Sequence, residues 1–221
     1  LLVGICTVAM LAGLFMMYVR TTLAPTLEVN ADDYTMNLSS IIYYQDRDTG
    51  DWVEYQTVYG TENRIWVDYD EIPDDLVNAA IALEDKRFRE HQGVDWKRTI
   101  ASAVNLVVPI YEGTPGGSTI TQQVVKNITH DNDFSIVRKA KEILRAMKLE
   151  KHYSKEQIIE VYLNTISLGN NTAGVQAAAN LYYGKDVSQL NAAECASIIS
   201  ITQNPTKYNP FTNYDNLVDR T

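Results

Sequence analysis

Two glutamates in this sequence could carry proton-transfer chemistry, and Glu84 is the first. It lies seven residues after Val77, on the face that Ala80 and Ile81 continue, within a predicted helix that begins after Pro73. A carboxylate on such an apolar stripe is partly withdrawn from water and therefore binds a proton more readily, as a general acid or base must. The same pattern also fits a structural glutamate satisfied by an arginine or by backbone N–H groups. Periodicity alone leaves both interpretations open.

The second glutamate, Glu142, ends the segment RKAKE at residues 138–142. It follows Lys139 by three residues, so the two side chains share one side of a helix. A basic ridge on another face is predicted for Arg138, Lys141, Arg145 and Lys148. Such a ridge is usually a solvated face, but beside a carboxylate it could clamp a diphosphate leaving group.

A run of small and polar residues, GGSTITQQ at residues 116–123, precedes Lys126. Glycines at a helix start allow close backbone approach, and the free N–H groups there attract anions. Neutral hydrogen-bonding side chains, as a sugar site requires, come from Ser118, Thr119, Gln122 and Gln123. The run also fits an ordinary helix cap. The three histidines show no metal-ligand spacing, so no resident metal is predicted.

The elements that must position these residues are mostly helices. A β-hairpin is predicted from residues 41–45 and 52–58, with turn-forming residues between them. The helices are predicted at residues 74–88, 95–108, 118–129, 134–151, 155–163, 172–181 and 191–201. Gly and Pro residues over 113–117 predict a mobile loop.

The N-terminal segment has the character of a membrane anchor. Residues 1–19 carry no charge and are followed by Arg20, and as a helix they span about 28 Å, close to a bilayer core. We expect a single transmembrane helix at residues 1–20. The alternatives are a buried core helix and an uncleaved signal peptide. A connector with the hairpin follows at 21–70, and the main, mostly helical domain is placed at 71–221.

The charge distribution narrows the choice of partners. The net charge of −9 argues against a nucleic-acid binder. The balance is uneven, however, with a net charge of −13 over residues 28–85 and +6 over residues 86–155. The basic section contains Glu142 and its neighbouring cations.

Four motifs in order resemble those of the peptidoglycan glycosyltransferases, family 51. EDKRFREHQGVD at residues 84–95 is similar to the family's EDxxFxxHxGxD, and GSTITQQ at 117–123 matches its second motif. RKAKE at 138–142 is similar to RKxxE, and KEQIIEVYLN at 155–164 to KxxILExYLN. The resemblance extends from about Asn63 to Phe211.

The resemblance implies a mainly α, lysozyme-like domain on the outer side of a bacterial cell membrane, which joins lipid II to a growing glycan chain. Glu84 resembles the general base and Glu142 the second essential carboxylate. The residues that resemble diphosphate ligands are Lys126, Arg138 and Lys139. Those that resemble sugar and phosphate contacts are Ser118, Thr119, Gln122 and Gln123. Supporting positions are Asp85, Phe88, His91 and Asn164.

The resemblance also bears on partners. It implies that the apolar segment near residues 99–111 rests in the outer leaflet, and that cell-wall synthesis or division proteins are partners. The alternative interpretation of this segment is an ordinary core helix. A divalent cation such as Mg²⁺ is left open. The family's last helix should begin near Thr221, so we expect a truncated domain, with a transpeptidase domain as one continuation.

Two stretches depart from the family pattern, TISLGNNTAG at residues 165–174 and SITQNPT at 200–206, where a Gly-Leu-Pro-Gln-type stretch is commoner. Two rival functions stay open. One is a lysozyme-like hydrolase or lytic transglycosylase, and the other is a non-catalytic module that binds wall precursors.

Overall fold

The N-terminal part of the chain forms one helix and one hairpin. The computed structural model of the protein describes residues 2–18, 21, 40–46, 49–58, 63–107, 116–131 and 135–221. Helix α1 covers Leu2–Tyr18, and strands β1 (Ser40–Gln45) and β2 (Trp52–Val58) pair antiparallel, which confirms the predicted hairpin. No helix in the described part of the chain is both long and apolar enough to cross a membrane.

The rest of the described chain is mainly helical, as predicted. Its helices are α2 (Asp74–Glu84), α3 (Trp96–Val107), α4 (Ile120–Thr129), α5 (Ile136–His152), α6 (Lys155–Thr165), α7 (Val175–Tyr183), α8 (Ala192–Ile201) and α9 (Tyr214–Arg220). A short 3-10 turn at Tyr69–Glu71 precedes α2, and another at Val187–Gln189 lies between α7 and α8. All seven predicted helices occur. Helix α9, which begins before Thr221, was not predicted.

Capping boxes fix three of the helix starts. At the start of α4, α6 and α8, the N-cap side chain accepts a hydrogen bond from the backbone N–H of residue N3. The N3 side chain in turn accepts a hydrogen bond from the backbone N–H of the N-cap residue. The three pairs are Thr119 with Gln122, Ser154 with Gln157, and Asn191 with Glu194. The second and third of these boxes were predicted from the sequence.

Helix α2 ends earlier than predicted, at Glu84 rather than at residue 88. Asp85 leaves the helical conformation, with φ −155° and ψ 77°. Its carboxylate instead accepts a hydrogen bond from Ile120 N at 3.1 Å and pairs with His91 Nε2 at 2.8 Å. Phe88 is buried, but it lies in the turn that follows α2 and does not belong to the apolar face of that helix. A contact distant in sequence therefore overrides the local helical periodicity.

Helix α7 begins at Val175 and not at residue 172 because of the glycine before it. Gly174 has φ +85°, and a Cβ placed there would lie 2.8 Å from the carbonyl oxygen of Asn164. Only glycine fits this close approach of two backbones. The start of α7 is thereby held against the end of α6.

The core lies where the helices meet. Helix α4 packs against α5 and α6, α2 packs against α8, and α8 also contacts α7 and α9. The largest fully buried side chains include Leu76, Ile120, Tyr162, Leu163 and Ile198. Predictions for 22–37, for the loop at 113–115 and for 108–111 fall on residues outside the described part.

Candidate functional site

Neutral groups hold the carboxylate of Glu84, which is half-buried at the C-terminal end of α2. Gln123 Nε2, on α4, donates to Oε2 at 2.9 Å. Thr202 Oγ1, at the end of α8, donates to Oε1 at 2.7 Å. Arg98 donates to the backbone carbonyl oxygen of Glu84 rather than to its carboxylate. Among the hydrogen bonds described here, the carboxylate therefore receives neither an arginine nor a backbone N–H.

A buried phenol also belongs to the surroundings of Glu84. Tyr162 on α6 is fully buried, and its hydroxyl has no hydrogen-bond partner within the described residues. Burial raises the pKa of Tyr162 well above its usual value, and the negative charge of Glu84 raises it further. The phenol therefore stays neutral and adds no charge near the carboxylate.

Two cations hold the carboxylate of Glu142, which is buried on α5. Arg138 Nη1 lies 2.5 Å from Oε2, and Lys139 Nζ forms an ion pair with Oε1. Lys139 Nζ also donates to Ser118 Oγ at 2.9 Å. The predicted ridge is corrected in one respect, because Arg138 turns toward Glu142 while Lys148 is exposed.

A small cavity at the α4–α5 contact collects further charged groups around Glu142. It is lined by Val125, Lys126, Thr129, Asp131, Arg138, Glu142 and Arg145. The three predicted diphosphate ligands thus belong to one region, since Lys126 and Arg138 share this cavity and Lys139 binds the same carboxylate. Arg145, predicted only as part of the ridge, joins them.

The segment Ser118–Gln123 connects the two carboxylates. Ser118 contacts Lys139, which pairs with Glu142, and Gln123 binds Glu84 directly. This segment is the start of α4 together with its cap. Both carboxylates are therefore tied to the same six residues of the chain.

The other two predicted contact residues of this segment, Thr119 and Gln122, are fully buried. The Thr119 hydroxyl donates to the carbonyl oxygen of Gly93 at 2.7 Å, and the Thr119 N–H donates to Gln122 Oε1 at 2.9 Å. Both side chains are engaged inside the protein, where they fix the start of α4. Their contact with a substrate stays a prediction.

The predicted supporting residues lock the motifs together. Asp85 ties the end of α2 to the start of α4 through Ile120 N and pairs with His91. Lys155, at the start of α6, donates to the carbonyl oxygen of His91 at 2.8 Å and lies 4.4 Å from the centre of the Phe88 ring. The first, second and fourth motifs are thus in direct contact.

Asn164 fastens α6 to the segment before α2. Its Oδ1 accepts from Val67 N at 2.9 Å, and its Nδ2 donates to Val67 O at 2.8 Å. The amide is fully buried and pairs with the extended backbone as a neighbouring strand would. It therefore supports the site from a distance.

Sequence reasoning missed three residues near the site. Thr202 and Arg98 contact Glu84, and Glu150 accepts hydrogen bonds from Thr121 and Lys155. No periodic pattern marks Thr202, although it lies in the stretch SITQNPT that departs from the family pattern. In the described ranges no three His, Cys, Asp or Glu side chains form a metal-binding group.

Comparison with known proteins gives independent evidence on the family of this chain. A family model described as Transglycosylase matches residues 52–221. Penicillin-binding protein 1A of Clostridium perfringens is 41% identical over 211 residues, which cover 94% of this chain and 30% of that protein.

Two further relatives come from other genera. Penicillin-binding protein 1A of Pseudomonas aeruginosa is 41% identical over 155 residues, or 70% of this chain and 19% of its own length. Penicillin-binding protein 1F of Bacillus subtilis is 41% identical over 160 residues, or 72% of this chain and 22% of its own length. This chain spans less than a third of each relative.

Proposed function

The chain belongs to the transglycosylase family, and from this premise we propose that it is a peptidoglycan glycosyltransferase domain that polymerises lipid II into glycan strands. The observation that carries the proposal is the link between Glu84 and Glu142 through the segment Ser118–Gln123. One carboxylate is held by neutral donors and the other by cations, which suits a proton-accepting group beside an anion-binding group.

The proposed reaction begins with proton removal by Glu84. The 4-hydroxyl of the acceptor GlcNAc gives its proton to the carboxylate, and an oxygen electron pair forms the bond to C1 of the donor MurNAc. The bond from C1 to the diphosphate oxygen breaks with inversion, and undecaprenyl pyrophosphate leaves with that electron pair. Gln123 and Thr202 hold the carboxylate in place for this step.

The leaving diphosphate requires positive charge, which we assign to Lys126, Arg138 and Lys139. Glu142 fixes Arg138 and Lys139 by ion pairs, so both cations are oriented before the substrate arrives. Arg145 lines the same cavity and adds to its positive charge. Ser118, bound to Lys139, is the nearest neutral contact for a phosphate or sugar oxygen.

We further propose that the protein works at the outer face of the bacterial cell membrane, held by a single-pass anchor at residues 1–20. The uncharged run at residues 1–19 supports the anchor. Helix α3 exposes Trp96, Ile100 and Val104, spaced four residues apart along one face. Such an apolar face suits contact with a leaflet that carries a lipid-linked substrate.

Incubation with labelled lipid II in detergent tests the proposal. We expect glycan polymer from the wild type and a loss of at least about 100-fold in Glu84→Gln, because the proton acceptor is gone. Glu142→Gln also loses most activity, since the two cations lose their counter-charge. Glu71→Gln, at an exposed glutamate, serves as the matched control and keeps wild-type activity.

Three outcomes would contradict the assignment. Normal polymerisation by Glu84→Gln would remove Glu84 from the role of base. Cleavage of finished glycan without polymer formation would identify a hydrolase or lytic transglycosylase. Binding of lipid II by the wild type without either product would identify a non-catalytic module.

A further inference from the structure

We propose that Thr202 is a positioning residue that lets Glu84 hold and release a proton without any movement of the surrounding heavy atoms. The proposal rests on the proposed function, because it concerns the base of that reaction. Thr202 follows the last residue of α8, which packs against α2. Its side chain thus reaches Glu84 from a helix that contains none of the four sequence motifs.

The geometry gives the Thr202 hydroxyl two acceptors at the same distance. Its Oγ1 lies 2.7 Å from Glu84 Oε1 and 2.7 Å from the carbonyl oxygen of Ile199. A hydroxyl has one hydrogen and two lone pairs, so it donates to only one of these oxygens at a time. Rotation of that hydrogen exchanges the two arrangements.

The two arrangements match the two protonation states of the base. When Glu84 is ionised, Thr202 donates to Oε1 in a charge-assisted hydrogen bond. When Oε1 carries a proton, the carboxyl group donates to Thr202 Oγ1, and the hydroxyl hydrogen turns to Ile199. Either state keeps its polar atoms satisfied. Gln123 holds the other carboxylate oxygen throughout.

The other charged or titratable groups around Glu84 make no hydrogen bond to its carboxylate among the described residues. On the α3 side, Arg98 binds the backbone carbonyl oxygen of Glu84. On α6, Tyr162 is a neutral phenol with a raised pKa. Asp85 directs its carboxylate to Ile120 and His91. These groups are unchanged by substitution at Thr202, so a change in pH dependence reports on its hydroxyl.

The test measures the initial rate of lipid II polymerisation from pH 5 to 9 for Thr202→Val and Thr202→Ser. In Thr202→Val the ionised carboxylate loses a donor, so we expect the acidic limb of the kcat profile to move up by about one pH unit. We also expect kcat at the optimum to fall by about 10-fold, with KM within about twofold. Thr202→Ser, which keeps the hydroxyl, retains the wild-type profile.

A matched control comes from the same helix. Ser200 is fully buried, and its hydroxyl donates to the carbonyl oxygen of Ala196 at 2.9 Å. Ser200→Ala removes a buried α8 hydroxyl that does not contact Glu84 and should leave the pH profile unchanged. Thermal unfolding identifies a variant that fails to fold. Thr202→Ala, which removes the hydroxyl and leaves a smaller side chain, should show the same upward shift as Thr202→Val.

The results separate two failures. An active wild type together with an unshifted profile in folded Thr202→Val or Thr202→Ala overturns the role of Thr202 alone. An equal shift in Ser200→Ala or in Thr202→Ser also overturns it, because the effect would then be structural. A wild type that makes no polymer overturns the proposed function and, with it, this role.

Discussion

Glu84 and Glu142 are both helix-borne carboxylates tied to the start of α4, yet their partners are of opposite kinds. An amide and a hydroxyl hold Glu84, whereas a guanidinium and an ammonium hold Glu142. Neutral donors orient a carboxylate and leave it able to accept a proton, while two cations favour the ionised form. This difference in partners, more than the residue type itself, supports the proposed assignment of proton transfer to Glu84 and of charge organisation to Glu142.

The contrast between neutral and cationic partners recurs at Glu160 and Asp95, whose pKa values shift in opposite directions. Glu160 accepts from Trp66 Nε1 and Tyr69 N, both neutral, and burial raises its pKa. Burial also acts to raise the pKa of Asp95, but the N–H of Arg98 and the guanidinium of Arg87 outweigh it, so that pKa is lowered. The backbone N–H and the cationic guanidinium together therefore reverse the direction of the shift at Asp95.

The largest expected effect comes from giving Glu84 the kind of partner that Glu142 has. Gln123→Lys places an ammonium beside the proposed base and favours its ionised form, so we expect kcat to fall by about 100-fold. Gln123→Met, which removes the donor without adding charge, should lose less than about 10-fold. Steady-state polymerisation of lipid II measures both. Equal losses in the two variants would mean that charge at this position is irrelevant.

A smaller effect is expected from removing one cation beside Glu142. Lys139→Met keeps the length of the side chain and removes its charge, so we expect KM for the lipid-linked donor to rise by about 10-fold. The matched control is Lys148→Met, an exposed lysine on the same helix, and a second is Lys207→Ala. If all three variants behave alike in the same assay, the basic residues of α5 are only a solvated face.

The smallest effect concerns stability and uses the two carboxylates outside the site. Because the folded pKa of Asp95 is lowered, its contribution is present above about pH 4 and is lost as the pH falls through the folded value. Asp95→Asn should therefore cost about 1 kcal/mol near pH 7 and less in acid. Urea unfolding at several pH values measures this difference.

Glu160 should behave in the opposite sense. Because its folded pKa is raised, its stabilising contribution is present below about pH 4 and is lost as the pH rises through the folded value. Glu160→Gln should therefore gain stability relative to the wild type as the pH rises from 4 to 7. Parallel trends for Glu160→Gln and Asp95→Asn would contradict the rule drawn from their partners.

Much of the fold could be predicted because its signals are local. The capping boxes at Ser154 and Asn191, the turn chemistry of the hairpin and the apolar periodicity of each helix depend on neighbours in sequence. The end of α2 was mispredicted, since Asp85 stops the helix by binding Ile120, 35 residues away. The start of α7 was mispredicted because Gly174 meets the backbone of Asn164.

The contacts of the candidate site likewise divide into local ones, which the sequence indicates, and long-range ones, which it does not. A spacing of three residues predicted that Lys139 and Glu142 share one side of a helix, and the structure pairs them there. The bond from Thr202 to Glu84 joins residues 118 positions apart, and no periodicity indicates it. The predicted contact of Gln123 with substrate stays a prediction, and the structure adds a hydrogen bond from Gln123 to Glu84 that no periodicity indicates.

The sequence by itself determined the helical class, the two carboxylates and the basic section around Glu142, since composition and short-range spacing specify these. Only the tertiary structure decided which partners Glu84 receives, and it brought Ser118 and Lys126 to the cations beside Glu142. Hydrogen bonds and ion pairs act over about 3 Å, and the packing of α2 against α8 and of α4 against α5 brings distant residues within that range. The neutral surroundings of Glu84 are therefore a property of the folded chain, whereas the two cations paired with Glu142 follow from spacings of three and four residues on one helix.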